Sequence, residues 1–219
     1  QAAMEFCNKP GIINSVSMEG DKCDIVLPKI EGTDWGVVAL LCDNSGIPED
    51  AEGRLEVFTR VMEQMKKHDI APNRVYIDPL VETLGANEES LIMFAEVTRE
   101  VKKQYPSIHI TSGLSNISFG LPYRRMINMA FLVLAMEAGM DSAIIDPLVK
   151  EFQGVMYAAN ALIGNDEMGI EYIGAFRDGV FGRPLKAAEK KLIVDAAEAG
   201  VAAEDKDQLE ELLGIAGLK

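Results

Sequence analysis

"SIHITSGLSNISFGLP", Ser107 to Pro122, joins two kinds of chain. Ser107–Thr111 is short and rich in isoleucine, the pattern of a strand covered on both faces. The residues after it are Gly, Ser and Asn. A surface loop has that composition. So does a binding floor, where backbone and amide groups must come close to a flat ligand.

The same junction recurs along the chain. Gly11–Asn14 (GIIN), Gly36–Cys42 (GVVALLC), Arg74–Asp78 (RVYID) and Ser142–Asp146 (SAIID) also read as buried strands. Each runs into polar residues: Asn14 and Ser15, Asp43 and Asn44, Asp78, and Asp146. Helical patterns lie between them. Glu49–Lys67 places Leu55, Phe58, Met62 and Met65 on one face, and Glu88–Lys103 does the same with Leu91, Phe94, Ala95 and Val101. Met126–Ala138 is apolar nearly all round, which predicts a buried helix, and Leu148–Ile163 is a fourth.

Strand–helix units recur about every 30–35 residues, the size of a βαβ unit. Their repetition predicts a parallel sheet, either doubly wound or closed as a (β/α)8 barrel. No GxGxxG or GxxxxGK[ST] run follows a strand, which weakens the dinucleotide and P-loop options. In such sheets ligands lie at the carboxyl ends of the strands. Asn14, Asp43, Asp78, Asn116 and Asp146 are therefore expected on one rim. Any one of them alone would serve as a turn or cap, and Asp146 reads as a cap of the helix after it.

The rim offers carboxylates and carboxamides. A carboxylate accepts two parallel N–H bonds from a heterocycle with a ring N–H beside an exocyclic amine. An Asn gives one donor and one acceptor. The combination suits a guanine-like or pterin-like ring. It would also suit magnesium and phosphate, but that chemistry usually brings a Lys or a glycine cradle. The basic residues near the strand ends are Arg124 and Arg125.

With 219 residues, 48% of them hydrophobic, the chain can form one domain with an appendage. A net charge of −14 disfavours nucleic acid and anionic membranes as partners. Cys7, Cys23 and Cys42 form no CxxC pair, and His68 and His109 are the two histidines, so no metal site is expected. This cysteine usage fits a reduced, cytoplasmic setting. The longest apolar stretch, Met126 to Met136, is interrupted by Asn128 and is too short to span a bilayer. From Pro184 the composition shifts: Lys186–Gly200 and Glu204–Gly217 read as a charged helical pair. The expected organisation is a strand–helix domain with a parallel sheet over residues 1–183 and a C-terminal helical extension over 184–219.

Five segments then fall into a known order: "INSVSMEG" (Ile13–Gly20), "DNSGIPED" (Asp43–Asp50), "IDPL" (Ile77–Leu80), "GLSNISFG" (Gly113–Gly120) and Tyr123–Asp146. Together they resemble the pterin-binding methyltransferase family over about Pro10 to Asp146. That family includes methyltetrahydrofolate:corrinoid/iron–sulfur protein methyltransferases and the folate module of cobalamin-dependent methionine synthase. The resemblance implies a TIM-type (β/α)8 barrel with the pterin over the strand ends. By motif, Asn14 and Asp78 would anchor the pterin, and Asn116 would reach N5, where the methyl group leaves. Gly113 and Ser115 would line the floor, Arg124 would lie in the following loop, and Asp43 on the rim.

The implied substrate is methyltetrahydrofolate or tetrahydrofolate. The implied partner is a protein carrying a corrinoid (cobalamin), and related enzymes are homodimers. In the family three strands precede the "INS" strand, so the five strands here would be the fourth to the eighth of an N-terminally truncated barrel. Such a fragment alone is not expected to be a competent enzyme. Two other functions remain open: a dihydropteroate synthase-like enzyme, which needs a pyrophosphate subsite, and a non-catalytic pterin-binding subunit.

Overall fold

Four of the five apolar runs pair as strands. The computed structural model describes residues 2–182, and its sheet is parallel, in the order β1 (Ile12–Met18), β2 (Gly36–Asp43), β3 (Val75–Asp78) and β4 (His109–Ile110). The helices are α1 (Lys22–Ile30), α2 (Ala51–Lys67), α3 (Ser90–Gln104), α4 (Arg124–Ala138), α5 (Lys150–Leu162) and α6 (Ile170–Arg177).

Register divides the sheet into two faces. Ile13 pairs with Val37 and Val37 with Val75, while Ala39 pairs with both Val16 and Ile77, and Ile77 with Ile110. All of these except partly buried Ile13 are fully buried, in one core with Leu27 of α1, Val57 and Phe58 of α2, and Phe94 and Val97 of α3. This is the helix-covered face. On the other face Asn14 aligns with Val38, Val38 with Tyr76, Tyr76 with His109, and Leu40 with Asp78. That second face is less covered: Ile12 is 50% exposed and Asn14 is exposed.

Local chemistry explains the frame. Asp50 caps α2 by accepting the Gly53 N–H at 2.8 Å. The helix then buries Val57, Phe58, Val61, Met62 and Met65 at the helical spacing. α4 ends at Gly139, whose φ of 117° a residue with a β-carbon rarely adopts, and Met140 N–H returns to the Ala135 carbonyl at 2.9 Å.

Three expectations need correction. Ser142–Asp146 is not a regular strand: it joins the sheet through a single bridge, Gly113 to Ile144, with the Ile144 N–H on the Ser112 carbonyl at 2.9 Å. The N–H groups of Asp141 and Ser142 both turn to the Ile110 carbonyl, and Pro147 follows at once, so no ladder develops. α4 is not buried all round: Asn128, Phe131, Leu132, Ala135 and Ala138 face the core, while Met126 and Leu134 are about half exposed. α1 and α6 are additional helices. The expected helical pair beyond Pro184 lies outside the described residues.

Candidate active site

β3 ends in Asp78, which is 7% exposed. Its Oδ1 accepts the Leu80 N–H at 2.9 Å, and the Gly113 N–H, from the loop after the neighbouring strand, also favours its charged form. Burial pushes its pKa up to about 6, while those two N–H groups and the nearby Arg54 guanidinium pull the other way. At neutral pH the group is an anion. A carboxylate has about four acceptor positions, so two remain for a ligand.

Asn116 comes from a single 3-10 turn, Leu114–Ser118, directly after β4. It is exposed, and its carboxamide folds back over Gly113. A β-carbon on Gly113 would stand 3.1 Å from Asn116 Nδ2. Gly113 thus bears on both candidates: its N–H favours the Asp78 anion, and its bare α-carbon leaves room for the Asn116 amide.

The loop after Asp78 braces this turn. Leu84 N–H donates to the Ile117 carbonyl at 3.0 Å, and Thr83 Oγ1 donates to the Phe119 carbonyl at 2.6 Å. Arg124 braces it from the other side, donating from Nη2 to the Ser115 carbonyl at 2.6 Å and from Nε to Ser118 Oγ at 3.0 Å. Its guanidinium lies 5.7 Å from the centre of the exposed Phe119 ring. Arg125 turns away to Glu151 at 2.9 Å.

Asp78, Gly113, Ser115, Asn116 and Arg124 therefore form one contiguous group. Asn14 lies on the same face of the sheet as Asp78, two residues nearer the N-terminal end by register. Asp43 is committed elsewhere. Its Oδ1 accepts the Ser45 N–H at 2.9 Å and the Ser45 hydroxyl at 2.5 Å, and its other oxygen pairs with Arg60 of α2. Those partners hold it well below the usual carboxylate range.

Arg54 is a residue that the strand-end argument passes over. It is fully buried in the first turn of α2 and bonded to the loop behind Asp78. The signal lay in helical spacing: position 54 heads the stripe of Val57, Phe58 and Val61, where an apolar residue is the norm. Among the described residues, no group of three or more His, Cys, Asp or Glu could hold a metal ion, and no helix is long and apolar enough to cross a membrane.

Residues 1–146 match the family model described as pterin binding enzyme. The chain belongs to the pterin-binding enzyme family. It is 45% identical over 189 residues to a methylcorrinoid:tetrahydrofolate methyltransferase of Eubacterium limosum, covering 85% of this chain and 69% of that protein. It is 34% identical over 157 residues to the methionine synthase of Mycobacterium tuberculosis, covering 66% of this chain and 13% of that much longer protein. Among solved structures, a dihydropteroate synthase from Coxiella burnetii in complex with pteroic acid superposes with a TM-score of 0.53 at 15% identity. That likeness covers 75% of this chain and 72% of the other, and it shows the fold alone: a parallel α/β sheet of the kind found in this barrel family.

Proposed function

We propose that this chain moves a methyl group between N5 of tetrahydrofolate and the cobalt of a corrinoid carried on a partner protein. The reading rests on one contact chain: the buried anion of Asp78, the Gly113 backbone and the Asn116 carboxamide, side by side at the strand ends. The 45% identity to a methylcorrinoid:tetrahydrofolate methyltransferase supplies the substrate class, and its name favours transfer toward the folate. The sheet β1–β4 then reads as strands four to seven of a (β/α)8 barrel, with residues 184–219 as an extension. We extend the reading to a cytoplasmic homodimer, as the family resemblance implies, and to no nucleic-acid partner, which the net charge of −14 disfavours.

Asp78 would accept the pterin ring N–H and the adjacent amine on its two open acceptor positions, which fixes the ring's orientation. Asn14, on the same sheet face, would complete the anchoring edge, and Ser115 would border the ring. Arg124 would keep the Leu114–Ser118 turn in place. The corrinoid supplies the cobalt that gives or takes the methyl group. An amine nitrogen is a poor leaving group unless charge on it is offset, so a donor at N5 acts where it matters. Asn116 Nδ2 can donate there, and its bond strengthens as charge develops on nitrogen. A carboxamide does not ionise, so the proton exchanged at N5 passes to or from water.

The test is methyl exchange between tetrahydrofolate and a corrinoid, followed by the corrinoid's absorbance. Asn116→Ala should lower the rate roughly 10²–10³-fold, the cost of removing one such donor, with folate binding largely retained. Wild-type rates in that variant would remove Asn116 from the chemistry. Tight binding of a pterin pyrophosphate, with none of methyltetrahydrofolate, would favour a dihydropteroate synthase-like reaction. Folate binding without any methyl exchange would leave a non-catalytic subunit.

A further inference from the structure

We propose that Arg54 is a positioning residue for Asp78: it locks the turn that presents this carboxylate to the folate. The inference rests on the reading of Asp78 as the folate anchor.

Arg54 is 0% exposed, and a buried guanidinium is unfavourable unless its N–H groups are matched. The match is directed at the residues that follow Asp78. Nη1 donates to the Pro79 carbonyl at 2.8 Å and to the Leu80 carbonyl at 2.7 Å, and Nη2 pairs with Glu82 at 2.8 Å. Nε donates back to the Pro48 carbonyl at 3.1 Å. Leu80 is the pivot. Its φ is 63°, a conformation that a leucine seldom takes, so something must hold it. Its carbonyl is held by Arg54, and its N–H is the one that Asp78 accepts at 2.9 Å. The side chain of α2 and the candidate anchor therefore grip the same peptide segment from two sides.

The charges around Asp78 follow the same line. From α2, Arg54 favours its anionic form; from the loop after β4 and from its own loop come the Gly113 and Leu80 N–H groups. Glu82 in the loop and Asp50 at the start of α2 act in turn on Arg54. A clamp that only stabilised the fold would leave the titration of folate binding where it is. A positioning cation moves it.

The experiment measures methyltetrahydrofolate binding by calorimetry between pH 5 and 8 for the full chain and four variants. In the wild type, affinity should fall as the pH drops through about 6. Arg54→Met should weaken binding at pH 7 by roughly ten- to a hundredfold, the loss of charge-assisted hydrogen bonds, and move the inflection upward. Arg54→Lys keeps the charge without the fork; it should weaken binding less and leave the inflection nearer its wild-type place. Glu82→Gln frees Arg54 of its nearest counter-charge and should move the inflection downward. This last variant carries the test if Arg54→Met does not fold. Folded Arg54→Met and Glu82→Gln proteins with the wild-type inflection would overturn the inference while the folate site stands. Wild-type folate binding by Asp78→Asn would overturn both.

Discussion

Asp78 sets burial against charge, and that conflict makes its behaviour predictable. Its pKa rises from an ordinary 3.8 to about 6 in the folded chain. Between those values the native state holds a proton that the unfolded chain has released. Stability drawn from this group is therefore greatest at low pH and falls as the pH rises through that window, by about 3 kcal/mol in total. Asp78→Asn should consequently melt several degrees above the wild type at pH 7.5. The two melting curves should converge near pH 4, while folate binding is lost at every pH. Melting scans at the two pH values, beside a binding titration, check all three outcomes. Gly113 behaves differently. The β-carbon of Gly113→Ala would press on Asn116 Nδ2 at 3.1 Å, but its N–H still favours the Asp78 anion. A displaced carboxamide costs rate rather than binding, so kcat should fall roughly ten- to a hundredfold. The KM for folate and the melting temperature should change little. An equal loss in kcat and in folate affinity would place Asn116 in ground-state binding instead.

At the scale of the element, α2 links stability to the site, because its first turn carries Arg54. Asp50→Ala removes the cap on Gly53 N–H and should cost about 1 kcal/mol, a fall in Tm of roughly 2–4 °C. Fraying there loosens Arg54, so folate affinity should drop with it, and Asp50→Ser should restore both. What the sequence made legible follows from the same elements. Val37, Ala39, Val75 and Ile77 belong to continuous apolar runs because the two central strands are buried or half-buried along their whole length, and the runs were readable for that reason. The placement of Asp78 and Asn116 at the strand ends was readable because both follow directly on apolar runs that end in polar residues. α1 was hidden by Pro28 within it, a residue that argues against a helix interior. Ser142–Asp146 has strand composition, but pairing depends on where the neighbouring backbone runs, and no local pattern encodes that. Arg54 and Asp43 fail for a shared reason. The sequence names a charged residue but not its partner, and both partners, Glu82 and Arg60, become neighbours only after folding.

Across the whole molecule, the sheet's two faces have different roles. The face holding Val37, Ala39 and Ile77 is sealed by helices and supplies the packing energy, while the opposite face carries Asn14 and Asp78 and remains more open. A ligand on the open face at the strand ends touches no helix core, so its effect should be confined to the loops that frame it. Those loops are 79–84 and 113–119, and they are not independent: Leu84 N–H bonds to the Ile117 carbonyl, and Thr83 to the Phe119 carbonyl. A ligand gripping only Asp78 must therefore steady the Asn116 turn as well. At a folate concentration near a hundred times Kd, mass action stabilises the bound form by about 2.7 kcal/mol. Amides that exchange by opening of the site should slow by up to about a hundredfold. Hydrogen exchange followed by mass spectrometry should show this slowing in both loops together, with peptides from β2 and α3 unchanged. Slowing in 79–84 alone would mean that the two loops move separately and that Asn116 is not held beside the bound ring.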